Sequence, residues 1–171
     1  MQSGGNRLVI GVSAACLCAL AIVGCTAGPP ARGGPTPRAA RGVSLTTLAA
    51  DYLAIARPAN ERLDVAEDGY DDNARAHLAA AESALRAQAA TERWFDAKLM
   101  KIPFPGHIAA VARALVRQNQ RRATLTDIQA RARSVATLLS FTAMHKSADA
   151  AVEVQVRLIR RLLGLQPPST S

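Results

Sequence analysis

Residues 78–102 read LAAAESALRAQAATERWFDAKLMKI. Leu78, Ala81, Leu85, Gln88, Glu92, Phe95, Leu99 and Ile102 recur at steps of three and four. That spacing stacks side chains on one face of an α-helix. The run is too long for a strand, and no period-two alternation competes with it. It is also rich in Ala, a strong helix former whose small side chain lets helices approach closely.

The same rhythm extends on both sides. Downstream, Pro103-Phe104-Pro105-Gly106 interrupts the helix. A third helix is expected through Ile108, Val111, Leu115, Arg122 and Leu125. The last runs through Leu138, His145, Val152, Val156, Ile159 and Leu163, ending near Gly164 with Pro167-Pro168 beyond. Upstream, Ser44 is a start signal for Leu45, Leu48, Tyr52, Ile55, Ala59 and Leu63. Pro58 is expected to kink this first helix. Glu67-Asp68-Gly69-Tyr70-Asp71-Asp72 reads as its stop, with a turn and a restart. Helices of about 30 residues span about 40 Å, and short connections make consecutive ones antiparallel. The expectation is an all-α chain, with an up-down-up-down four-helix bundle over residues 43–165 and a frayed tail over 166–171.

Composition agrees. Apolar residues are 49% of the 171-residue chain but aromatics only 4%, and there are 36 Ala. A core of that kind suits helices better than a sheet, which favours β-branched and aromatic residues. The net charge is +8, carried by 18 Arg and 3 Lys against 13 acids. A solvated basic surface is the plain reading of that excess. Anionic headgroups or wall polymers are the fitting counter-ions if it binds anything.

Each expected helix carries polar residues on its inward stripe: Tyr52 and Asn60, Gln88 and Glu92, Asn119 and Arg122, His145 and Asp149. His145 and Asp149 are four apart, on one helix face. Glu92, Arg122, His145 and Asp149 are expected to form the charged members of a polar layer inside the bundle. Its plain role is a hydrogen-bonded network fixing helix register. Its sharper role is a pocket for a small ligand or metal.

Several chemistries find no support in the sequence. A di-metal bundle site uses Glu-x-x-His pairs, and none of His77, His107 or His145 has a Glu three residues before it. Asp64, Asp68, Gly69 and Asp71 superficially suggest a calcium loop. The third position is Ala66 and the twelfth is Arg75, where a bidentate Glu is needed. The stretch reads instead as an acidic turn facing Arg113, Arg117, Arg121, Arg122, Arg131 and Arg133. Trp94-Phe95 and Phe104 read as caps on the core end. No phosphate loop, Gly-x-Ser-x-Gly elbow or close catalytic carboxylate pair is present. A catalytic role, a cofactor and a metal are therefore not expected.

The N-terminal end says most about location. Met1 to Arg7 is polar with one positive charge, and Leu8 to Val23 is uncharged and apolar. This is the layout of an export signal, and the apolar run is short for a membrane span. It closes on Ile22-Val23-Gly24-Cys25. That tetrapeptide resembles the lipobox of bacterial lipoproteins. Cys16 and Cys18 do not fit it, because Ser13 stands three before Cys16 and Leu17 directly precedes Cys18. The resemblance implies a signal peptide over 1–24, cleavage between Gly24 and Cys25, and diacylglycerol on the Cys25 sulfur. It also implies a chain exported and lipid-anchored, palmitate included, at the outer face of the cell membrane. Two acyl chains meet the requirement for stable anchoring. Cleavage would leave Cys25 as the one cysteine, so no internal disulfide or cysteine zinc site is expected. Residues 25–42 are Pro-, Gly- and Arg-rich and read as a tether whose Arg32, Arg38 and Arg41 attract anionic headgroups. The Ala- and Arg-rich composition resembles that of helical lipoproteins of GC-rich actinobacteria.

The expected function is a lipid-anchored envelope protein whose helical domain binds another envelope protein or an anionic polymer, without catalysis. The alternative is a small-ligand or metal carrier built on the polar layer. Nucleic acid is not an expected partner for an exported chain.

Overall fold

The computed structural model describes residues 43–167. The leader, Gly24, Cys25 and the tether lie outside the described residues, as does the tail from residue 168. The described chain is all-helical: α1 (Leu45–Asn73), α2 (Leu78–Leu99), α3 (Gly106–Gln129), the short α4 (Val135–Leu139) and α5 (Thr142–Leu162). No helix among the described residues is long and apolar enough to cross a membrane.

The start of α1 is as expected. Ser44 is extended, and its hydroxyl accepts from the Thr47 amide at 3.1 Å, which satisfies one of the helix's free N–H groups. Pro58 lies inside α1 without ending it. The acidic stretch does not stop the helix. Residues 67–72 are helical, and the turn comes later, at 74–77. Ala59, Ala66 and Ala74 are buried along one side of this region, with Leu63 and Tyr70 half-buried between them. The inward stripe thus continues in small residues while the acids face water. A Cβ placed on Gly69 would lie 3.5 Å from the Ala84 Cβ of α2, ordinary contact distance.

The last expected helix is two. Ser134 caps α4 through the Thr137 amide. The chain then breaks at Ser140 and Phe141 before α5 begins. The Ser140 and Thr142 hydroxyls donate to the carbonyls of Thr137 and Leu139, three residues back. Such local bonds compete with the helix ladder. α5 closes on Gly164, at φ 68°, with the Leu165 amide on the Arg160 carbonyl and the Gly164 amide on the Arg161 carbonyl. That is the Schellman pattern, and glycine takes its left-handed position without Cβ strain.

α1 packs on α2, α2 on α3, and α3 on α5. The larger core cluster gathers Leu48 and Tyr52 near the start of α1, Phe95 and Leu99 near the end of α2, Ile108 and Leu115 of α3, and Val156, Ile159 and Leu163 of α5. Tyr52 and Phe95 meet edge to face, ring centroids 6.3 Å apart. The smaller cluster joins Ala74, Ala81, Leu85, Ala130, Ala132 and Leu138, from the other termini of α1, α2 and α3 and from α4. Full burial of a Leu or Ile side chain contributes about 1.5–3 kcal/mol, so these positions carry most of the hydrophobic stabilisation.

Candidate functional site

Between the two clusters, three helices bring charges together. Glu92 of α2 and Arg122 of α3 are almost fully buried, at 1% and 4% exposure. Arg122 Nε lies 2.9 Å from Glu92 Oε1. Arg122 Nη1 lies 3.2 Å from Asp149 Oδ1 on α5, whose side chain is partly open to water. The heptad-like spacing of α2 and α3 turns both side chains inward. Thr126 donates to the Arg122 carbonyl at 3.0 Å, supporting that turn of α3. Glu92, Arg122 and Asp149 are thus a connected layer, as their positions in the sequence predict.

His145 joins it at the edge. It is half-buried, one turn before Asp149 on α5. Burial lowers its pKa, Asp149 opposes that, and Arg122 reinforces it. Its Nε2 is buried without a hydrogen-bond partner.

Asp96 is a member that the sequence reading missed. It stands one turn after Glu92, is buried, and accepts from Asn119 Nδ2 at 2.9 Å. Its i+4 spacing from Glu92 was the available signal. The neighbouring Phe95 marks this stretch as apolar core and hides it. Arg160 was missed as well. It reads as one of two basic residues in the last turn of α5, yet it is buried, with Nε donating to the Gln166 carbonyl at 2.7 Å.

The network holds three carboxylates around one guanidinium. Burial pushes Glu92 up to about 7, against the pull of Arg122 and with Asp149 and Asp96 adding to the rise. Burial likewise pushes Asp96 up to about 6, opposed by the Asn119 hydrogen bond and by Arg122. Desolvation therefore outweighs pairing for both groups. Tyr52, away from the layer, is pushed up to about 12 by burial, with Arg160 beside it pulling the other way.

The remaining polar positions are scattered. Asn60 is buried and Gln88 half-buried. Gln129 donates to the Tyr70 hydroxyl at 3.1 Å and to the Leu138 carbonyl at 2.9 Å, tying α1 and α4 to the end of α3. Ion pairs among the described residues include Arg86 with Glu82, Arg93 with Asp127 and Arg157 with Glu153, besides those of Arg122. Phe95 is buried as expected, and Phe104 is packed against the core. Trp94 is half-buried with the Arg62 guanidinium 4.5 Å over its ring.

Among the described residues, no group of three or more His, Cys, Asp or Glu is placed to hold a metal ion. Among the described residues, shallow surface grooves include two on the helix faces. One, between α1 and α2, is lined by Val65, Ala66, Gly69 and Ala84 among others. The other lies along α3 at Arg117, Gln120, Arg121 and Thr124. Neither is lined by Glu92, Arg122, His145 or Asp149. In comparisons with known proteins, no family model, no curated protein and no solved structure matches the chain.

Proposed function

We propose that the chain is a lipid-anchored protein of the bacterial cell envelope, with a helical domain that serves as a non-enzymatic interaction module. The observation that carries this reading is Ile22-Val23-Gly24-Cys25 at the close of a charged-then-apolar leader. Export, cleavage before Cys25 and acylation of its sulfur follow from that motif. The anchor then holds the domain at the outer face of the membrane through the Pro/Gly/Arg-rich tether.

The domain itself reads as an up-down-up-down four-helix bundle of α1, α2, α3 and α5. The short links 74–77 and 100–105 favour antiparallel neighbours, the longer link 130–141 carries α4, and core clusters join the start of one helix to the end of the next. The polar layer supports a structural role within it. Glu92 and Arg122 form a buried ion pair that joins α2 to α3.

Labelling with radioactive palmitate tests the anchor. The chain incorporates label, and Cys25→Ser abolishes it. Equal label in both chains contradicts the reading.

A further inference from the structure

The charge of the domain is distributed unequally along its length. The end where α1 begins also holds the end of α2, the start of α3 and the end of α5, since Leu48, Leu99, Ile108 and Leu163 share one core cluster. In this half the exposed charges are nearly all positive: Arg57, Lys98, Lys101, Arg113, Arg117, Arg157 and Arg161. The acids there with any exposure are Asp51 and Glu153. Glu92 and Asp96 are buried in the layer. The other half carries Glu61, Asp64, Glu67, Asp68, Asp71 and Asp72 of α1 along with its own arginines.

Helix dipoles account for part of this. Lys98 and Arg161 lie in the last turns of α2 and α5, where the dipole favours cations. They do not account for Lys101, Arg57, Arg113 or Arg117, which lie outside last turns. The first turns of α1 and α3 face the same end and contain no acid to offset their positive dipoles.

The same end exposes apolar groups. Val43 and Leu45 are about half exposed, as is Met100 at 51%. Met100 begins the loop between α2 and α3, where Lys101, Pro103 and Pro105 are also exposed. Exposed apolar side chains set among long basic ones are the composition of a surface that enters a headgroup layer, the cations reaching out to phosphate. The chain outside the described residues leaves from this end as well. Val43 follows directly on 42 residues that contribute Arg7, Arg32, Arg38 and Arg41 and no acid.

We infer that this basic, apolar-tipped end of the domain docks on an anionic lipid bilayer, with Met100, Val43 and Leu45 at the headgroup level and Lys98, Lys101 and Arg161 against lipid phosphates. The inference rests on the anchored reading for how the domain comes to the surface, but its contacts are separate from the anchor. Docking of this kind lays the domain end-on and keeps the acidic half of α1 away from the membrane.

Methionine oxidation reads the contact. Met144, 49% exposed at the start of α5, lies toward the opposite end and is an internal control matched in exposure to Met100. The full chain is reconstituted into neutral phosphatidylcholine vesicles and into vesicles containing phosphatidylglycerol. It is then treated with dilute peroxide, and sulfoxide formation is followed by mass spectrometry. In the anionic vesicles, Met100 oxidation slows by about tenfold or more, because several surface cations each bias binding by about fivefold at low salt. Met144 is unaffected. The triple variant Lys98→Gln/Lys101→Gln/Arg161→Gln oxidises Met100 at the neutral-vesicle rate, and high salt does the same to the unaltered chain. Equal Met100 rates in the two vesicle types overturn the inference. So does equal protection by soluble polyphosphate added with neutral vesicles, which assigns the surface to a polymer. Failure of the anchor reading appears instead as absence of palmitate, whatever Met100 does.

Discussion

At the scale of single residues, the Glu92–Arg122 pair is both the most legible feature of the site and its most sensitive point. The helical spacing of each stripe turns both residues inward, so their meeting follows from the sequence. Their energetics do not, because these depend on how much water burial removes. Breaking a buried pair by removing one partner costs on the order of 3–5 kcal/mol, since it strands a charge. Here the stranded group has an escape, because burial pushes Glu92 up to about 7, so that it can take up a proton. Arg122→Met is therefore expected to destabilise the fold by several kcal/mol at pH 8 and by clearly less at pH 5, measured by urea unfolding at both pH values. Equal losses at the two pH values would contradict a stranded Glu92.

The sign of the pH dependence follows from the same groups. Glu92 and Asp96 have folded pKa values of about 7 and about 6, raised above their ordinary 4.5 and 3.8. The folded state thus binds protons that the unfolded state does not. Their stabilising proton uptake is fully present below the ordinary values and is lost as pH rises through about 6 and about 7. His145 works in the opposite sense, since its lowered pKa makes acid unfavourable to the fold. Two carboxyls against one imidazole leave a net rise in Tm from pH 8 to pH 5. Glu92→Gln flattens that rise and melts differently from the unaltered chain. A Tm that falls over this range, or a variant with the same slope, would show that the layer is not buried as described.

At the scale of elements, the four long helical segments were readable because their stripes are apolar and regular. The errors fell where small or hydroxyl side chains decide the backbone. Asp68-Gly69 with acids around it has the composition of a turn, yet Ala59, Ala66 and Ala74 continue the buried stripe through it. Alanine carries little hydrophobic signal while allowing α1 and α2 to approach closely. The break at Ser140-Phe141 was hidden in the same way, because Ser and Thr bonds back to carbonyls are invisible to periodicity. Gly69→Ala tests the corrected end of α1. Inside a helix, with the new Cβ at 3.5 Å from Ala84, the substitution should stabilise by about 0.5–1 kcal/mol. A loss of stability would mean that residue 69 is a turn after all. Ser44→Ala should cost about 1 kcal/mol through loss of the α1 cap, read in the same melting assay.

At the scale of the whole molecule, the proposed location and the helical fold rest on different parts of the chain. The proposed anchoring rests on the leader and its lipobox-like ending, while the Ala-rich helical stripes build the domain. The partner is not legible in either, because a binding face made of arginines and a few exposed apolar groups has no spacing that distinguishes it from a solvated surface. The proposed bilayer contact rests instead on the cations that the helix ends bring together where α1 begins. The intact mass of the chain, extracted in detergent from cells that process lipoproteins, bears most directly on this account. A species lacking residues 1–24 and heavier than the peptide from Cys25 to Ser171 by a diacylglyceryl group is predicted. A species that begins at Met1, or one cut before Cys25 but carrying no lipid, would contradict it.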